Sequence, residues 1–235
     1  MTTPLDLSEL LSGIRAKRGY LLPHHGLMAI TAPALLDAYD AAYTAMALDD
    51  RVLSHHDREF VWLAILIATD EAIATHHIAK FRAAGGTDEE VEVILTVTAL
   101  ALGFESYRFV EKHWLVHLPA CDPRASYLRA LRTAAAKVPM RLVHMAAAAV
   151  FVCKAGWDAV ALQIVAAYED AVPELDLAEA ISLTMFPGSV PHFVEAARVW
   201  RELIVDGKVP ASPMFRDWAE MSGQGGFDEA SRAAR

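Results

Sequence analysis

The chain has 235 residues, 54% apolar and 22% charged, with 30 acidic against 21 basic side chains and a net charge of −9. That apolar fraction supports a sizeable core and excludes disorder as the main state, and the length fits one large domain or two small ones fused. An acidic chain whose basic cluster is only Arg15, Lys17 and Arg18 is a poor nucleic-acid binder, because phosphate contacts need clustered cations. Cys121 and Cys153, in no metal-like spacing, speak against a disulfide scaffold and against a thiolate zinc site. The opening Met1-Thr-Thr-Pro-Leu-Asp lacks a charged segment followed by an apolar run. The apolar runs Val61–Ala68 and Met145–Cys153 fall short of the ~18 residues of a membrane span. The expectation is a soluble, cytoplasmic protein with neither a membrane nor a nucleic acid as partner.

Helix signals dominate in chain order, with abundant alanine and apolar residues recurring at three and four positions. Pro33, after Thr31, opens a helix through Tyr43. Ser54 with Asp57 three residues on caps the next, which runs into Glu59-Phe-Val-Trp-Leu. The pattern continues to Ala84, where Gly85-Gly86 stops it. Thr87-Asp-Glu-Glu caps a helix reaching roughly Leu118-Pro119, and further stretches cover about 123–137, 140–154, 156–171, 176–186 and 190–205. Met221-Ser-Gly-Gln-Gly-Gly-Phe reads as a flexible tail. The fold class is all-α.

One helix from His55 to Ala84 would be far longer than the mean of about 11–12 residues. Thr69-Asp70-Glu71 reads as a second helix start, a capping residue followed by acids. A break near Ala68 makes two antiparallel helices and brings Glu59 opposite His77. An unbroken helix would hold them ~27 Å apart.

Sliding the chain on itself by about 88 positions gives an ordered internal match. Asp70-Glu-Ala-Ile-Ala is echoed by Trp157-Asp-Ala-Val-Ala, and Phe109-Val-Glu by Phe193-Val-Glu. His76-His77 becomes Gln163-Ile164 in this register, so the expectation is that only the first half kept ionisable groups.

The stretch from Glu59 through Asp70-Glu-Ala-Ile-Ala-Thr-His-His77 to Gly85 and Glu90 resembles the carboxymuconolactone decarboxylase and alkyl hydroperoxidase D-like family. That core has a glutamate-led helix, a short motif, and a histidine eight residues before a glycine and an acidic cap. Arg18-Gly-Tyr-Leu-Leu-Pro-His-His25 also looks like two-repeat members of the decarboxylase branch. The resemblance implies a helical bundle of the alkyl hydroperoxidase D type, a tandem repeat of two related halves, assembling as a trimer or hexamer. It divides the chain into an N-terminal segment (1–54), a first repeat (55–118), a linking helix (119–139), a degenerate second repeat (140–206) and a tail (207–235).

Redox members carry a Cys-x-x-Cys whose positions here hold Asp70 and Ile73, so peroxide reduction has no thiols to run on. The resemblance then implies a cofactor-free, non-redox lyase acting on a small carboxylated lactone or related aromatic-catabolism acid. His77 is the general acid or base, Glu59 its orienting carboxylate, and Asp70 and Glu71 further catalytic candidates. His76, and His24 and His25 from a loop folded over the hairpin, are candidate substrate contacts. His55 and His56 read as surface residues, while Lys80 and Arg82 suit either a substrate carboxylate or a solvated face. His113 and His117, four apart, lack a third metal ligand. Two rival readings stand beside the lyase: a metal-dependent hydrolase or isomerase built on the ten histidines, and a non-catalytic binding or assembly protein.

Overall fold

The computed structural model describes residues 4–233, and every regular element among them is helical. Residues 1–3, which begin the stretch read for a leader, and residues 234–235 of the tail lie outside the described residues. Contacts divide the chain into one unit ending at Asp50 and another beginning at Arg51.

The first unit holds α1 (Pro4–Arg18), α2 (Pro23–Thr31) and α3 (Pro33–Tyr43), the last continuing into a π-helical turn at Thr44–Leu48. Prolines open α2 and α3, where first-turn N–H groups lack partners anyway. Ile14, Ala29 and Leu36, one from each helix, form its core. The Arg18 side chain is buried beside them, paired with Asp40 at 2.5 Å and lying over the Tyr39 and Tyr43 rings.

The second unit runs α4 (His55–Thr69), α5 (His76–Ala83), α6 (Asp88–Leu102), α7 (Phe104–His113), α8 (Pro123–Ala135), α9 (Met140–Cys153), α10 (Trp157–Glu169), α11 (Glu174–Ser182), α12 (Val190–Val205), α13 (Pro213–Glu220) and α14 (Gly226–Ala233). Helices α4 and α9 pack against each other at its centre and are buried without a break from Arg58 to Leu66 and from Leu142 to Cys153. A helix covered on every side has to be apolar all round, which explains the alanine run 146–149. Helices α5 and α6 pack on α4, and α10 and α11 on α9.

The two halves correspond turn by turn. Helix α4 ends at Asp70 with φ 59°, and α9 at Ala155 with φ 54°. Glu71 N donates to Leu66 O at 3.0 Å in the first, as Gly156 N does to Phe151 O at 3.0 Å in the second. Helix α5 ends at Gly85 and α10 at Ala171, both at positive φ, with Gly86 N on Phe81 O and Val172 N on Ala167 O, each 2.9 Å. Gly86 is needed for a second reason: a Cβ there would run into the Phe81 ring.

Two expectations need correcting. The helix from Thr87 stops at Leu102, resumes at Phe104 and ends at His113 rather than near Pro119, with Gly103 at the joint. By length and composition alone Asp88–His113 is apolar enough to cross a membrane, but its buried residues Val93, Ile94, Val97 and Ala101 face the core of this unit. The tail after Glu220 carries a helix, α14, that the sequence pattern does not place; Glu229 of that helix accepts the Gly223 N–H, and Gln224 donates to the Trp218 and Met221 carbonyls.

Candidate active site

The hairpin α4–α5 is set by how α4 ends. Asp70 takes the left-handed conformation, Asp70 N donates to Ile67 O and Glu71 N to Leu66 O, which is the Schellman arrangement that closes a helix. Thr69-Asp70-Glu71 is therefore a helix stop, not the start read from the sequence. The next helix opens five residues later, at His76. The consequence for the site is the expected one, since α5 returns along α4 and places His77 against Glu59.

His77 Nδ1 lies 2.6 Å from Glu59 Oε2, with both side chains almost wholly buried. A carboxylate accepts only, so the imidazole N–H donates through Nδ1, and Nε2 becomes the nitrogen with which the ring can exchange a proton. Trp62, one turn beyond Glu59, stacks on the imidazole with centroids 4.6 Å apart and planes 27° apart. The His76 and His77 rings lie with centroids 4.3 Å apart.

Asp70 and Glu71 do not join this pair. They stand on the turn and line a pocket of about 430 Å³ between α4, α5 and α6, together with Leu63, Ala74, Ile78 and Arg82. That size suits a small ligand. Neither Glu59 nor His77 lines the pocket, but Leu63 and Ile78, the neighbours of Trp62 and His77, do. Arg82 donates to Gly86 O at 3.0 Å and pairs with the exposed Asp88.

The other sequence candidates fall elsewhere. His24 and His25 belong to α2 in the first unit, not to a loop, since Pro23 starts a helix there. His25 is fully buried, held by Leu22 N and facing Arg18 Nη1 at 3.0 Å. Burial, followed by the charges of His24 and Arg18, pushes its pKa down to about 4, so it acts as a neutral core group. His56 is half-buried, not a surface residue, with Nδ1 3.1 Å from Asp57 and Nε2 3.0 Å from Glu90. Burial alone would lower its pKa, but the two carboxylates outweigh that and raise it. Helix α7 ends at His113, so His113 and His117 do not share a helical face. Among the described residues no three His, Cys, Asp or Glu side chains converge as a metal site.

The second half is not empty of ionisable groups. Aligning Asp70 with Ala155 puts Glu59 opposite His144, and aligning Gly85 with Ala171 puts His77 opposite Gln163, one residue off the register read from the sequence. His144 and Gln163 are bonded too, Gln163 Nε2 lying 2.5 Å from His144 Nδ1. His144 Nε2 meets Asp170 at 2.7 Å, Arg132 holds Asp170 from outside, and the Tyr127 hydroxyl donates to Gln163 Oε1 at 3.4 Å. Burial lowers the His144 pKa in spite of Asp170. Glu179, also missed, accepts from the N–H groups of Val52 and Leu53 and from Arg58, fixing the start of α4. Only chain folding could reveal these partners, because each lies far away in sequence.

The site is a buried carboxylate–imidazole pair carried on a helical hairpin of an all-helical scaffold. Residues 33–111 match the Carboxymuconolactone decarboxylase family and form a domain of that family, with the helical fold of the alkyl hydroperoxidase D type. This family is largely enzymatic and includes decarboxylases and peroxidase-related proteins. No curated protein and no solved structure matches the chain.

Proposed function

We infer that the protein is a non-redox lyase of the carboxymuconolactone decarboxylase type, acting on a small carboxylated lactone without an organic cofactor. The observation that carries this is the buried Glu59–His77 hydrogen bond of 2.6 Å. Glu59 fixes the ring with Nδ1 as donor and stabilises the imidazolium when it forms, so Nε2 is the nitrogen that gives up or takes a proton. In a decarboxylation the bond to the carboxylate carbon breaks and carbon dioxide leaves. The electron pair enters the conjugated lactone carbonyl, and the Nε2 proton of His77 is then delivered to carbon. Solvent restores that proton, and nothing is oxidised or reduced. Asp70 and Ile73 standing where redox members have thiols support the non-redox reading.

The test is carbon dioxide release from a panel of carboxylated butenolides by the wild type, His77→Ala and Glu59→Gln. Turnover by the wild type that collapses in both variants supports the reading. Full turnover in His77→Ala overturns it.

A further inference from the structure

Against the Glu59–His77 pair lies a donor with nothing to bond. Trp62 is 2% exposed, and its indole Nε1 is buried with no hydrogen-bond partner among the described residues. A buried indole N–H ordinarily finds an acceptor, and one left without costs the fold stability. This ring is the one stacked on His77, so the orphaned donor and the proton-carrying imidazole share one stack.

The second half of the chain serves as an internal control. Ala147 holds the place of Trp62 there, and its histidine, His144, is bonded through both ring nitrogens, to Gln163 and Asp170. In the first half Glu59 takes only Nδ1 of His77. The half with the closed network has no indole, whereas the half whose histidine is engaged through Nδ1 keeps a buried, unmatched N–H beside it. Packing alone does not call for this nitrogen, since a phenyl ring would stack without leaving a donor unpaired.

We propose that the Trp62 indole N–H is a substrate-contacting donor of this site, receiving the lactone carbonyl oxygen on which negative charge gathers while His77 handles the proton. The inference rests on the lyase reading and names the electrophilic group that reading lacks. The indole and imidazole rings are stacked with centroids 4.6 Å apart, so the unpaired N–H stands beside the ring that exchanges the proton. Leu63 and Ile78, which follow Trp62 and His77 in sequence, line the hairpin pocket, so a ligand must enter from that pocket past them to reach the stack. In a site without water such a donor strengthens as charge develops, and removing one donor of this kind lowers kcat by about 10²-fold.

Trp62→Phe keeps the stacking and removes only the N–H. Its melting temperature is expected at or above that of the wild type, because an unpaired donor has been removed. A loss of several degrees would mean that the N–H makes a structural bond, and would overturn the proposal. On a carboxylated butenolide, kcat is expected to fall about 10²-fold in Trp62→Phe. Unchanged kcat overturns the Trp62 assignment and leaves the lyase reading standing. If the wild type turns over nothing on the panel, the lyase reading fails by itself. The Trp62 indole resonance, identified as the one missing from Trp62→Phe, is then followed while the same butenolide is added. A saturable downfield shift supports the contact, and no shift overturns it.

Discussion

The two halves of the second unit use one hairpin plan for opposite ends. In the first, Glu59 and His77 form a two-member pair with a stacked indole beside it. In the second, Tyr127, Gln163, His144, Asp170 and Arg132 form a chain in which each donor meets an acceptor. A fully satisfied buried network rigidifies a core and has no lone pair to offer a substrate. The first half thus holds a pair with one imidazole nitrogen outside it, and the second a closed network.

The largest effect expected from breaking this comparison is on chemistry. His77→Ala should lower turnover by about 10³-fold, the scale of a lost general acid or base, read as carbon dioxide release from the butenolide panel. Glu59→Gln should cost less, about 10²-fold, because the ring keeps a hydrogen-bonding neighbour. His144→Leu should act on stability instead. It leaves Gln163 and Asp170 short of a partner, and a loss of about 1–3 kcal/mol is expected from denaturant unfolding, with the turnover of the folded protein unchanged.

The smallest effects separate two histidines by the sign of their pH dependence. The folded pKa of His56 is raised, so its stabilisation is complete below the unfolded value near 6.5 and is lost as pH rises through the folded value. His144 is lowered, so the unfolded chain takes up its proton first, and stability falls as pH drops below about 6.5. Arg141 occupies the place of His56 in the second half, pairing with Asp57 and with Asp176 at 2.6 Å. His56→Arg should therefore flatten the alkaline side of a melting-temperature profile. His144→Leu should lessen the acid-side slope, to which the lowered His24 and His25 still contribute. Profiles unchanged from the wild type would show that neither histidine is placed as described.

Much of the hairpin was legible from sequence, because a 30-residue helical pattern with an acidic interruption has to break, and a break in its middle apposes Glu59 and His77. What the interruption does was not legible. Asp70 in the left-handed conformation ends α4, whereas the same residue types commonly open a helix. The His24-His25 pair followed a proline that read as a loop and turned out to start α2. His144, Asp170 and Glu179 were invisible because their partners come from other helices. Trp62 carried no signal of its own, since nothing in a sequence shows an indole nitrogen left without an acceptor. The internal repeat was visible, but its register was settled only by the paired turns at Asp70 and Ala155 and at Gly85 and Ala171.

The most direct measurement is turnover of one carboxylated butenolide by His77→Ala and His144→Leu side by side, each shown to be folded. The predicted result is a loss of about 10³-fold in His77→Ala with His144→Leu at the wild-type rate. Turnover lost in His144→Leu and kept in His77→Ala would place the chemistry in the wrong half and contradict the assignment.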